Sequence, residues 1–223
     1  MALAPADARC DGVVLLHGIA VGSWTLKKLE RTLQRRGYAT LNLDYASRKK
    51  PLEALAEDIH APVAAFAEQC DGALHFVVHS MGGLLARVYL SRHRPARLGR
   101  VVMLGTPNSG SEVADLLKDF SIYRAAFGPA GLQLTTAQAP VLADLPSPDY
   151  AVGVIAGCRT IAPIASAFVL PRPNDGRVSV ASAKLPDMAG HIIVKASHTG
   201  LPRNTTAIEQ TIAFLRDGCF QAF

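Results

Sequence analysis

The sequence predicts an α/β fold: a mainly parallel sheet of about six strands with helices on both faces. Short apolar runs alternate with longer amphipathic stretches along the chain, the pattern of strands and helices taking turns. Several of those runs are continuously apolar, as in strands covered on both sides. The length of 223 residues, 49% of them hydrophobic, with 18 glycines and 14 prolines, suits one domain, 1–223, with a sizeable core.

The first continuous run is Val13–His17, a strand. From Trp24 to Arg36 the stripe Leu26, Leu29, Leu33 predicts a helix, with Gly37 as its stop. Tyr38–Leu43 is the second strand. From Leu52 to Cys70 the apolar residues Leu52, Leu55, Ile59, Val63 and Phe66 keep helical spacing, and Pro62 is expected to kink or divide the stretch. Leu74–Val78 is a strand, Gly82–His93 a helix and Arg100–Leu104 a strand. The stretch 111–148 has no clean period and carries scattered Pro and Gly, so 111–150 is a candidate cap or lid. Val152–Ala156 and His191–Lys195 complete the sheet. The last helix is Asn204–Arg216, capped by Asn204 or Thr205.

The formal charge is +5. Arg87, Arg92, His93, Arg94, Arg97 and Arg100 form one basic stretch, and Arg48, Lys49 and Lys50 a smaller one. The plain reading is a set of solvated helix ends and loops. The sharper one is a surface for transient contact with acidic lipid headgroups or an acidic carrier protein. Nucleic acid is a poor fit, because no recognised module is present and the cations are not interleaved with aromatics. The N-terminus shows no secretory pattern, and no run reaches the ~18 apolar residues of a membrane span. The four cysteines are widely spaced with no C-x-x-C pair, which disfavours a metal site. Free thiols in a reducing cytoplasm are the expectation.

Chemistry concentrates at Val77-Val-His-Ser-Met-Gly-Gly83, where a strand turns directly into a helix. A serine on such a turn has an exposed hydroxyl at a helix N-terminus, which makes Ser80 the candidate nucleophile. Gly82 and Gly83 allow the close strand–helix approach. The usual pattern is G-x-S-x-G, and here Val78 replaces the first glycine. The competing reading is a tight turn with a capping serine.

A tetrahedral intermediate needs two preorganised backbone N–H groups, each typically worth about 3 kcal/mol of barrier. The amide of Met81, just after the serine, and that of Ile19, in the loop His17-Gly18-Ile19-Ala20 after the first strand, are the candidates. Serine also needs a base and the base an orienting acid. In chain order the acid and then the histidine follow the nucleophile. His198 lies in a loop after the last strand, where ligands sit in open α/β sheets. His191 opens that strand and is the weaker choice. His17 is read as ordering its loop, and His79 as packing or hydrogen-bonding behind the serine. For the acid, Asp175 lies in the turn Asn174-Asp-Gly176, with Asp187, Asp149 and Asp144 as competitors. Asn-Asp-Gly is also plain turn chemistry.

Five segments stand in this order: Leu15–Ile19, Val78–Gly83, Leu104–Ser111, Asn174–Gly176 and Ser197–Gly200. Together they resemble the α/β-hydrolase superfamily, and within it the bacterial triacylglycerol lipase and esterase group. The resemblance implies an α/β-hydrolase fold in which a similar Asp-Gly turn and final loop supply the acid and base, in favour of Asp175 and His198. It implies hydrolysis of carboxylic esters, small-molecule or lipid, through an acyl-enzyme, with no metal or organic cofactor. Acyl transfer, hydrolysis of a carrier-bound ester and a non-catalytic binding protein of the same fold are the alternatives. The chain departs from larger relatives in beginning almost at the first parallel strand, and 111–148 is short for a full lid. Phe120, Ile122, Tyr123, Phe127, Leu132 and Leu134 either line an acyl pocket or serve as ordinary packing.

Overall fold

The apolar runs become six strands of one sheet: β1 (Gly12–Leu16), β2 (Ala39–Leu43), β3 (Leu74–His79), β4 (Leu98–Leu104), β5 (Val152–Gly157) and β6 (Gly190–Val194). The structure, a computed structural model, describes residues 10–137, 140–160 and 170–222. The strand order is β2-β1-β3-β4-β5-β6, and every neighbouring pair is parallel. Leu16 stands beside Leu43 on one side and Val78 on the other. The strands therefore end in line, and the loops after them share one edge.

Successive residues of a strand face opposite sides, so one sheet feeds two cores. Val13 and Leu15 pack with Leu26, Leu29 and Leu33 of the first helical region and with Ile208, Ile212 and Phe214 near the C-terminus. Val14 and Leu16 pack instead with Leu52, Leu55, Val63, Leu84, Leu85 and Val88. The helices responsible are α1 (Lys27–Arg35), α2 (Leu52–Asp58), α3 (His60–Glu68) and α4 (Met81–Arg92), with α9 (Thr205–Asp217) on the α1 side. Asn204 caps α9 by accepting from the Ala207 amide at 2.9 Å. The expected division of the 52–70 stretch occurs, but at Ile59 rather than Pro62. Pro62 lies in the first turn of α3, where an N–H has no intrahelical acceptor to lose.

Between β4 and β5 stand three short helices, α5 (Glu112–Leu117), α6 (Ser121–Leu132) and α7 (Pro140–Ala143). Gly128, at φ +60°, breaks α6 just before Pro129. Pieces this short explain why the segment carries no clean helical period. A further short helix, α8 (Val180–Ala183), precedes β6. Among the described residues no helix is long and apolar enough to cross a membrane.

Of the basic stretch, Arg92, Arg94 and Arg97 are exposed, as the plain reading expects, His93 and Arg100 are half-buried, and Arg87 departs from it. Arg92 and His93 pair with Glu57, and Arg94 with Asp149. Arg97 donates to the carbonyls of Gly72, Ala67 and Cys70, and Arg100 to those of Leu215 and Arg216. Arg87 is buried, only 8% exposed. It sits on the face of α4 that turns inward, which a count of charges along the chain does not register.

Candidate active site

The parallel register brings the turns after β1, β3, β4, β5 and β6 to one edge. At the end of β3 the backbone enters α4 through Ser80, whose φ of 57° and ψ of −128° are rare for any residue with a side chain. Two hydrogen bonds hold it there: Ser80 N–H to the Leu104 carbonyl and Gly83 N–H to the Ser80 carbonyl, each 2.9 Å. A Cβ on Gly82 would stand 2.5 Å from the Leu16 carbonyl oxygen, so glycine is what lets α4 start against β1. Val78, where the usual pattern has glycine, is fully buried between Leu16 and Met103. The helix side of the turn carries the close approach, and the strand side tolerates a branched side chain.

His198 opens the turn after β6 and is 5% exposed. Its Nε2 lies 2.9 Å from Ser80 Oγ and its Nδ1 2.8 Å from Asp175 Oδ2. A carboxylate only accepts, so Nδ1 carries the proton and Nε2 presents its lone pair to the serine hydroxyl. Asp175 is 2% exposed, and its Oδ1 accepts from the amides of Arg177 and Val178 at 2.9 and 2.8 Å. Turn closure and orientation of a histidine are thus the work of one carboxylate, one oxygen for each. Gly105, at φ +58°, ends β4 beneath this pair, and a Cβ there would lie 3.1 Å from Asp175 Oδ2.

His79 lies behind the same histidine. Its Nε2 stands 3.0 Å from the His198 carbonyl, and the two rings are 4.9 Å apart. Burial, reinforced by the neighbouring His198, pushes His79 down to about 3. It is therefore neutral, and its Nε2–H donates to that carbonyl. The His198 amide donates in turn to the Asp175 carbonyl at 3.0 Å, so the backbone of His198 is held from both sides.

The loop after β1 is tied to the loop after β2. Tyr45 donates its hydroxyl to the His17 carbonyl, and the two rings stack 4.1 Å apart. Ala20 N–H donates to Ser47 Oγ at 3.2 Å. His17 Nδ1 lies 2.7 Å from the Gly18 carbonyl oxygen, which fits its reading as a loop-ordering residue. A Cβ on Gly18 would stand 3.1 Å from that of Ser80, so this loop lies against the serine. Neither the Ile19 nor the Met81 amide donates to a protein acceptor among the described residues.

A cleft of about 280 Å³ opens at Ser80 and His198, walled by Ile19, Leu117, Phe127 and Leu134. Of the residues read as either pocket lining or ordinary packing, Phe127 and Leu134 line this cleft, whereas Phe120 and Leu132 are 60% and 42% exposed. The side chains of Ile122 and Tyr123 lie outside the described residues. The competitors for acid and base are elsewhere. Asp149 pairs with Arg94 ahead of β5, Asp187 occupies an exposed turn ahead of β6, and Asp144 is exposed at the end of α7. His191 lies within β6 beside Val154. Tyr45 and Arg177, which edges the cleft, were not singled out by sequence, because neither belongs to a motif or a periodic face. Among the described residues no cluster of three His, Cys, Asp or Glu could hold a metal.

The model of the alpha/beta hydrolase family matches residues 13–213. The chain belongs to that family. Among solved structures similar to this hydrolase is a lipase of Bacillus licheniformis in its mature form. The two share 19% identity over 94% of this chain and 92% of the other, with a TM-score of 0.72. A phospholipase of Legionella pneumophila shares 16% identity over 94% of this chain and 59% of its own, TM-score 0.70. A carboxyl esterase from a metagenome shares 20% over 86% and 65%, TM-score 0.69. At these identities the likeness is one of fold, and this chain spans under two thirds of the second and third. No curated protein matches.

Proposed function

We propose that this hydrolase cleaves carboxylic esters by a serine mechanism with an acyl-enzyme. The observation that carries the reading is the unbroken relay from Ser80 Oγ through His198 to Asp175, 2.9 and 2.8 Å, at the mouth of a largely apolar cleft. His198 Nε2 takes the Ser80 proton as Oγ attacks the ester carbonyl, and Asp175 holds the resulting imidazolium. The amides of Ile19 and Met81 receive the oxyanion; the latter also opens α4, whose N-terminal dipole favours negative charge. His198 then returns the proton to the leaving alcohol, and water on the same path releases the acid. The lipase and esterase neighbours support an acyl-bearing substrate, and the cleft suits a short to medium chain.

The test is hydrolysis of p-nitrophenyl esters from two to sixteen carbons, by the parent and by Ser80→Ala, with and without an added alcohol or thiol acceptor. The variant is expected to lose about 10⁴- to 10⁶-fold in kcat. A fluorophosphonate should label the parent stoichiometrically and the variant not at all. A folded parent inert to every ester and to the fluorophosphonate, or a variant of unchanged activity, defeats the reading. Product formed only with the acceptor present would make the enzyme a transferase.

A further inference from the structure

The buried Arg87 is not used by any of this chemistry. It lies on α4 two turns beyond Ser80, and its Nε is inaccessible and without a hydrogen-bond partner. Among the described residues no carboxylate pairs with its guanidinium. Even partial burial of a guanidinium without a counter-charge is costly, so such a group favours a site where something else meets it. Arginine keeps its proton in proteins, and escape by neutralisation is closed to it.

Arg87 lines a second pocket, of about 420 Å³, which shares no residue with the cleft at Ser80. Its other polar walls are Ser91, Arg94, Ser147, Asp149 and Tyr150. The charges can be followed one by one. Arg94 lies 2.6 Å from both oxygens of Asp149, so that pair is neutral. The Arg94 guanidinium also covers the Tyr150 ring at 5.8 Å. Ser91 already donates to the Val88 carbonyl. What remains is one uncompensated positive charge, that of Arg87. Tyr150, pushed up to about 12 by burial, keeps its phenolic proton and lines the same pocket.

We propose that this pocket binds a small singly charged oxyanion of the carboxylate kind. Arg87 supplies its fork of N–H donors and Tyr150 its hydroxyl. A guanidinium fork matches two oxygens on one centre, and one net positive charge matches one negative charge. With the Arg94–Asp149 pair neutral, a dianion would leave one negative charge uncompensated in the pocket. The proposal does not depend on the reaction at Ser80.

The test is thermal unfolding of the full chain at constant ionic strength, with sodium chloride replaced stepwise by sodium acetate, and separately by inorganic phosphate at pH 8. Acetate should raise Tm saturably, by about 4 °C at ten times its dissociation constant. The rise should persist in Ser80→Ala and vanish in Arg87→Met. No saturable rise in the parent, or an equal rise in Arg87→Met, overturns the proposal. A larger rise with phosphate, then a dianion, overturns the carboxylate assignment. If Arg87→Met does not fold, the same titration is run on Arg87→Lys and Tyr150→Phe. Affinity weakened about tenfold in either supports the site, and unchanged affinity in both overturns it.

Discussion

The carboxyl edge of the sheet and the 111–150 segment meet at the same cleft but are built in opposite ways. At the edge each residue is constrained from several sides. Ser80 is fixed by two backbone hydrogen bonds in a rare conformation, and Asp175 spends one oxygen on its own turn and the other on His198. In the segment, α5, α6 and Leu134 just beyond α6 meet the cleft mainly through apolar side chains, and α6 is broken at Gly128. The first region fixes the reacting groups through several hydrogen bonds each. The second fixes only a wall. The difference implies that substitutions at the edge change the rate of reaction, and substitutions in the segment change which substrate is preferred.

Asp175→Asn tests this most severely. The amide cannot accept from His198 Nδ1–H through its nitrogen, and an orientation that keeps the carbonyl on His198 turns N–H groups toward the Arg177 and Val178 amides. The wrong histidine tautomer then faces Ser80. Ester kcat should fall about 10⁴-fold with the thermal transition shifted by only a few degrees. A loss below tenfold in a folded variant would mean that the base is oriented by another group.

His79 should have the next largest effect, because it acts through the position of His198 rather than on substrate. His79→Leu removes the donor to the His198 carbonyl, and kcat is expected to drop about 10- to 100-fold. His79→Gln, which restores an N–H at similar reach, should recover most of it. Equal activity in both variants would assign His79 to packing alone. Stability gives an independent readout. His79 is held near 3 in the folded chain, against about 6.5 when unfolded. Between those values the unfolded state binds a proton that the native state refuses, so stability is full above about pH 6.5. It falls as the pH is lowered, by about 1.4 kcal/mol per unit for one such group. Burial also lowers His17 and His75, which adds to the slope. Urea unfolding from pH 7 to 4 should show a shallower slope in His79→Gln, by about one proton.

The same contrast explains what could be read from the sequence. β1, β3 and β5 were legible because they are buried on both faces and mostly apolar, whereas β2 and β6 are only half-buried. Ser80, Asp175 and His198 were legible because the chemistry that places them is local: a strand-to-helix turn with glycines after it, an Asn-Asp-Gly turn, and a loop just past the last strand. Pro62 and Ile59 exchanged roles because a first-turn proline does not break a helix. Arg87 was counted with a basic surface because charge along a chain says nothing about which helical face turns inward. Tyr45 reaches the His17 carbonyl only after β2 pairs with β1, a long-range consequence with no local mark. In 111–150 two of the apolar residues suspected of lining a pocket do so, Phe127 and Leu134, whereas Phe120 and Leu132 are exposed. Their orientation depends on where Gly128 breaks the helix.

The smallest effect expected belongs to that wall. Phe127 touches the cleft from α6 and supplies bulk where an acyl chain would run. Phe127→Ala enlarges the cleft without disturbing Ser80, His198 or Asp175. One methylene in an apolar site is worth about 0.8 kcal/mol, or roughly fourfold. The ratio of kcat/KM for the eight-carbon over the four-carbon ester should therefore rise about 3- to 10-fold, with kcat on the four-carbon ester within twofold of the parent. An unchanged ratio would remove Phe127 from the acyl path. A loss of several hundredfold on the short ester would mean that the segment positions reacting groups as well, and the division between an edge that reacts and a wall that selects would no longer hold.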